Sequence, residues 1–157
     1  MRKISLLFIS IFSFLSFSVN AQVDKGEFRF EGVSTSDNAL VQTGDNGYLV
    51  AGNLDFDGPW GTNLFLAKLD SSGNPQWSEL IGDSSLDVEN ALIKTTDGGY
   101  AITGYTSKGA GGEDVFITKL DAVGNIQWIK TVGGVNNDWA GQLCQTIDKG
   151  FMLFGST

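Results

Sequence analysis

One nine-residue pattern occurs three times in this chain, and it constrains the fold more than any other feature. Gly44-Asp45-Asn46-Gly47-Tyr48-Leu49-Val50-Ala51-Gly52 returns as Thr96-Asp97-Gly98-Gly99-Tyr100-Ala101-Ile102-Thr103-Gly104. It returns again as Ile147-Asp148-Lys149-Gly150-Phe151-Met152-Leu153-Phe154-Gly155. A second pattern, Lys68-Leu69-Asp70 with Gly73-Asn74-Pro75-Gln76-Trp77, recurs as Lys119-Leu120-Asp121 with Gly124-Asn125-Ile126-Gln127-Trp128. The period is about 51 residues, and self-similarity on that scale marks an array of identical supersecondary units.

Each unit reads as four short strands. The first spans 39–43 or 91–95. A tight Asp-containing turn follows, with Gly47, Gly99 and Gly150 expected to take positive φ. The second strand spans 48–52, 100–104 and 151–155, and ends on Gly52, Gly104 or Gly155, where a missing side chain lets a neighbouring backbone come close. A variable loop leads to the third strand, 63–69 or 114–120. An Asp-x-x-Gly-Asn turn leads to the fourth, 76–81 or 127–132. No part of the chain after residue 21 sustains helical periodicity.

The third strands are apolar on both faces. Leu64 and Leu66 oppose Phe65, Ala67 and Leu69, and Val115 and Ile117 oppose Phe116, Thr118 and Leu120. Such a sheet needs cover on both sides. The expected fold is therefore all-β: a partial β-propeller of about two and a half four-stranded antiparallel blades stacked face to face. Its divisions are an N-terminal strand or linker at 22–32, blades at 33–82 and 83–133, and an incomplete blade at 134–157. Residues 27–32 align with the fourth strands through Gly32. Propellers close with 4–8 blades, so this chain is expected to be a piece of a longer protein or one part of an oligomeric ring. Its open blade faces would favour self-association.

Residues 1–21 read as an export signal. Arg2 and Lys3 precede an apolar run, and Val19-Asn20-Ala21 sets small residues at a cleavage site before Gln22. The expected location is outside the cytoplasm: secreted, periplasmic or at the cell surface. The lone Cys144 sits in an apolar strand pattern and is expected to be buried and inert.

Composition excludes several functions. The chain has no histidine, one cysteine and a formal net charge of −8. These rule out His-based catalytic triads, His or Cys-rich metal sites, and the basic footprint that nucleic acid requires. No catalytic constellation emerges from the remaining residues. Residues recurring at the period read as scaffold: Trp77 and Trp128 as packing between blades, Lys68 with Asp70 and Lys119 with Asp121 as strand ends and turns. Asp87 and Asp138 are expected to accept hydrogen bonds from loop backbone. Glu113 and Asp114 are merely adjacent, and their first-unit counterparts are Thr62 and Asn63.

Chemistry needs what is not repeated. Asp55, Asp57 and Gly58 match the beginning of a calcium loop, without a closing acidic ligand, so calcium stands behind a solvated loop held by Pro59 and Trp60. Phe56 and Trp60 could present an aromatic surface to a glycan or a protein. Trp139 has no aromatic counterpart in the preceding unit and reads as cover for an edge.

Thr96-Asp97-Gly98-Gly99-Tyr100, Gly104-Tyr105-Thr106, Lys119-Leu120-Asp121, Gly124-Asn125-Ile126-Gln127-Trp128 and Gly133-Gly134 resemble the β-propeller repeats of secreted and cell-surface proteins of Bacteroidetes. Those proteins often carry a C-terminal type IX secretion sorting domain, and no such domain is expected within residues 22–157. The resemblance runs from about Gly32 onward and implies an exported propeller without implying an activity. The leading expectation is an exported, non-catalytic propeller segment for binding or surface structure. The alternatives are part of an exported carbohydrate-active enzyme whose catalytic residues lie elsewhere, and a ring-forming assembly module.

Overall fold

A computed structural model describes residues 3–7, 18–24, 27–30, 38–55, 62–82 and 87–157. Among them there is no helix. Thirteen strands form antiparallel sheets. At the N-terminus, β1 (Lys3–Leu7), β2 (Ser18–Asp24) and β3 (Glu27–Phe30) pair in that order. Residues 27–30 are thus extended, as expected for a strand, but their partner is β2 and not a blade.

The first four-stranded sheet is a meander of β4 (Asn38–Gln42), β5 (Tyr48–Asp55), β6 (Thr62–Leu69) and β7 (Pro75–Ile81). The second sheet repeats it with β8 (Asp87–Lys94), β9 (Tyr100–Thr106), β10 (Asp114–Leu120) and β11 (Ile126–Val132). A hairpin of β12 (Trp139–Gln145) and β13 (Phe151–Ser156) ends the chain. Register is shared as well as order. Leu49 faces Lys68 and Ala101 faces Lys119, and both third strands shift register against the fourth at the same Lys-Leu step.

The second sheet is covered on both faces by stacking, and the first on the face it turns to the second. β8 lies against β4, β5 and β6, and β12 lies in the same way against β8, β9 and β10. Leu49, Leu64 and Leu66 of the first sheet meet Leu92, Tyr100, Ile102, Phe116 and Leu120 of the second. The opposite face of the second sheet places Ala101 and Ile117 against Leu143, with Phe151 and Leu153 alongside. Trp77 packs into the first interface and Trp128 into the second, where its ring meets Phe151 edge-on at 5.8 Å. Two polar bonds join the second sheet to the hairpin: Asn90 Nδ2 donates to the Ala140 carbonyl, and the Thr96 amide donates to Gln145 Oε1, both at 2.8 Å. Asn90 can reach across because it is the extra residue where β8 shifts register against β9.

The recurring Asp turns differ from expectation in one respect. Positive φ falls one residue earlier, at Asn46 (65°), Gly98 (83°) and Lys149 (67°). Gly47 and Gly99 are needed for room instead. A Cβ on either would lie 2.2 Å from the carbonyl oxygen of Leu69 or Leu120, and about as close to the adjoining lysine. Gly155 likewise admits a neighbouring backbone, since a Cβ there would stand 1.8 Å from the Trp139 carbonyl oxygen.

The lysines that close the third strands take their partners from these same turns. Lys68 Nζ reaches back to Asp45 at 2.9 Å and Lys119 Nζ to Asp97 at 3.0 Å, so neither pairs with the aspartate two residues on. Asp70 and Asp121 instead accept from the amides and side chains of Asn74 and Asn125 within their own turns. Each lysine also donates to the carbonyl of the following leucine. The turn aspartates accept from Thr43 and Gly47, or Thr95 and Gly99, tying first, second and third strands into one knot.

Cys144 is exposed, not buried. Its counterparts Val41 and Ile93 pack into the two interfaces, whereas the corresponding face of the hairpin is open: Met152 is 62% exposed and Phe154 74%.

The threonine hydroxyl, then the lysine, then the glycine amide hold the Asp45 and Asp97 carboxyls well below the usual carboxylate range. A lowered folded pKa stabilises the fold above the ordinary value of 3.8 and ceases to do so as pH falls through the folded value. Asp97→Asn should therefore lower the urea midpoint at neutral pH, and the gap from the native chain should narrow as the pH approaches 2. Gly99→Ala should cost about 1–3 kcal/mol by crowding a backbone carbonyl. Gly98→Asn, with open space around it, should cost no more than about 0.5 kcal/mol, because Asn46 already occupies the equivalent φ. Urea titrations read both.

Candidate functional site

In a meander the connections alternate between the two ends of the sheet. One end carries the Asp turns, with the same backbone bonds repeated from Thr43 to Gly47, Thr95 to Gly99 and Thr146 to Gly150. These regular turns are scaffold. The other end carries the unlike loops: β5–β6, β7–β8, β9–β10 and β11–β12. It is the end where a site can be built without disturbing the repeat.

The expected ligand residues Phe56 and Trp60, and Asp57 of the calcium reading, lie outside the described residues. Asp55 is the last residue of β5, and its side chain is likewise outside them. Among the described residues, no group of three or more cysteine, aspartate or glutamate side chains gathers to hold a metal ion.

The loops described in full at this end are 107–113 and 133–138, and they lock together. The Asp138 amide donates to the Glu113 carbonyl at 2.6 Å. The Glu113 amide donates to Asn137 Oδ1 at 3.0 Å, and Trp139 Nε1 donates to Glu113 Oε2 at 2.6 Å. Asp138 Oδ2 accepts from the Gly134 amide at 2.9 Å. Trp139 therefore fixes a carboxylate rather than simply covering an edge. Glycines permit the closeness: a Cβ on Gly112 would stand 1.8 Å from Asn137 Oδ1.

Asp114 is adjacent to Glu113 but sits in a different environment. It is 1% exposed, and its Oδ1 has no hydrogen-bond partner. Its Oδ2 accepts a long bond, 3.5 Å, from the Gly111 amide. The carboxylate is wedged between glycines: a Cβ on Gly109 would stand 1.4 Å from Oδ2, and one on Gly133 1.7 Å from Oδ1. Sequence reading passed over this residue, although a signal existed. Asn63 and Gly82 stand at the same spacing in the first unit, and a Cβ on Gly82 would lie 2.4 Å from Asn63 Oδ1. The pairing of a short polar side chain with a glycine after the fourth strand is thus repeated, and only the charge is particular to the second unit.

The arrangement offers a rigid, acidic, hydrogen-bonding loop surface. Glu113 is held as an acceptor by an indole, and Asp114 is enclosed. Fixed shape and oriented acceptors suit recognition. Comparison of the sequence with protein-family models and with curated proteins gives no match.

A buried carboxylate oxygen without a donor costs about 1–3 kcal/mol. Asp114→Asn, which installs the first unit's residue, should leave stability unchanged or raise it by up to about that amount. Gly133→Ala should lower it by about 1–3 kcal/mol through overpacking. Thermal and urea unfolding of the two variants test the assignment together.

Proposed function

We propose that this chain is an exported, non-catalytic β-propeller segment that binds a glycan or a protein through the loops of one end. One observation carries the reading. The hairpin sits on the second sheet as the second sheet sits on the first, each time through the first strand of the incoming unit. Repetition of one such step around an axis is how propeller blades are arranged. The apolar faces of β6 and β10 and the shared register of the two meanders agree with it. Export rests on Arg2, Lys3, the apolar run after them and the small residues before Gln22. Cleavage there would remove β1 and divide β2, so the β1–β2–β3 ladder belongs to the unprocessed chain.

Binding is assigned to the non-repeated connections between second and third strands, which hold Phe56 and Trp60 in the sequence of the first unit and Glu113 in that of the second. Aromatic side chains dominate such recognition. Expression of the full chain in a Gram-negative host should yield an extracytoplasmic product beginning at Gln22. A product retained in the cytoplasm with Met1 in place would overturn export. On arrays of glycans and surface proteins, the processed chain should bind, and Trp60→Ala should weaken binding about tenfold or more without changing the circular dichroism. An empty array, or a Trp60→Ala chain that binds equally well, would overturn the loop assignment.

A further inference from the structure

Glu113 and Trp139 form a pair that the repeat does not supply. Their counterparts in the preceding unit are Thr62 and Val88, neither acidic nor aromatic. Trp139 Nε1 donates to Glu113 Oε2 at 2.6 Å, while the Glu113 amide donates to Asn137 Oδ1 and the Glu113 carbonyl accepts from the Asp138 amide. Backbone and side chain of Glu113 are thus both fixed, and the indole is fixed with them. Trp139 nevertheless stays 39% exposed. Its ring is held by the second unit, through the β9–β10 connection, and not by the open face of the hairpin.

Three features direct this pair toward a positive charge. The first is the ring, because an indole face carries negative potential and attracts cations. A carboxylate bonded to the indole N–H polarises the ring further in that sense. The chain shows the geometry once already, with Lys130 Nζ 5.4 Å from the centroid of the Trp128 ring. The second feature is the remaining oxygen of Glu113, Oε1, beside the ring. The third is Asp114, 1% exposed, whose Oδ1 has no hydrogen-bond partner and whose carboxylate is enclosed by Gly109 and Gly133 of the same two loops. A buried charge is screened far less by water and salt than an exposed one. Over residues 107–114 and 133–138 the acids are Glu113, Asp114 and Asp138, against one basic residue, Lys108. Such a field draws cationic partners and repels anionic ones.

We propose that Trp139 and Glu113 form a binding site for a basic side chain, an arginine or lysine on an exposed segment of a partner protein. The cation lies over the indole face and bonds to Glu113, with Asp114 beneath as a fixed negative charge. A neutral sugar could stack on the ring but would leave that buried charge unanswered, and an acidic glycan would be repelled. The inference rests on the binding role proposed above and narrows it from a glycan or a protein to a protein with exposed basic residues.

The test titrates the full chain, followed by calorimetry, with a peptide of five arginines separated by glycines. Two further probes are the same peptide with citrulline, which is neutral, in place of arginine, and a chitosan hexamer. The arginine peptide should bind, and more weakly as salt is raised. The citrulline peptide should bind at least tenfold more weakly. Trp139→Leu, which leaves the net charge unchanged, and Glu113→Gln, which keeps an acceptor for the indole, should each weaken the arginine peptide about fivefold or more. Asp121→Asn, which removes a charge at the other end of the same sheet, should leave binding as it was. No binding, equal binding by the citrulline peptide, or equal binding by the Trp139→Leu chain would overturn the proposal. Equal losses in Asp121→Asn and Glu113→Gln would overturn it too, as the mark of general attraction between opposite charges. Chitosan bound in place of the peptide would overturn the assignment to a protein. Array ligands lost in Trp60→Ala but bound normally by Trp139→Leu would sink this inference alone and leave the broader binding role standing.

Discussion

A β-strand that is apolar on both faces cannot lie at a surface, and the rest of this structure is arranged around two such strands. β6 and β10 are buried along nearly their whole length. Neither can be covered by its own sheet. A flat antiparallel sheet therefore needs a neighbour over each apolar face: β10 has the first sheet on one side and the hairpin on the other, and β6 has the second sheet over its Leu64 and Leu66 face. The hydrophobic contribution of these interfaces is non-directional. Orientation comes from polar groups at the margins, where the Asn90 side chain and the Thr96 amide bond across to the following hairpin.

Within each sheet a different device sets the register. The Thr-x-Asp-x-Gly turn aims a carboxylate at the third strand, and the third strand answers with a lysine placed where the pleat and a register shift bring it over the turn. The ammonium is mostly sequestered while the carboxylate remains about half exposed. The pair therefore owes more to its hydrogen bonds than to bare Coulomb attraction, which water screens at an exposed partner. A slip by one residue would send the lysine to the other face of the sheet, so the knot selects one pairing among the alternatives a repetitive sequence could adopt.

The architecture was legible because strand alternation and turn composition are local properties. The third strand of the second unit was bounded correctly from its pattern alone, and the Asp turns were located to the residue. What failed depended on three-dimensional neighbours. Glycine at positions 47 and 99 looked like a φ requirement, yet the cause is a carbonyl arriving from a strand twenty residues away. Lys68 and Asp70 read as strand-end and turn residues, and the ion pair that the fold makes between Lys68 and Asp45 has no signal along the chain. Cys144 has the pattern of a buried residue, and it is exposed because burial depends on a covering sheet that no single strand encodes. Asp114 escaped notice because its neighbour Glu113 drew attention to adjacency. The informative fact was the glycine nineteen residues downstream. The residues expected to bind calcium or an aromatic-recognised ligand fall in a stretch of sequence that does not repeat, where neither periodicity nor turn composition offers a guide.

The two-stranded hairpin packs on the second sheet, whereas the second sheet packs on both the first sheet and the hairpin, and this bears on how the molecule comes apart. Arrays of this kind behave as a line of coupled units whose stabilities are roughly the sum of internal and nearest-neighbour terms. A unit with two strands and a single interface contributes the smallest share. Opening should begin there and travel inward, with the second sheet yielding only after its cover has gone. Because almost all pairings are between strands adjacent in sequence, closure should be quick for a β protein. The end of the array would then open and close many times for each global unfolding.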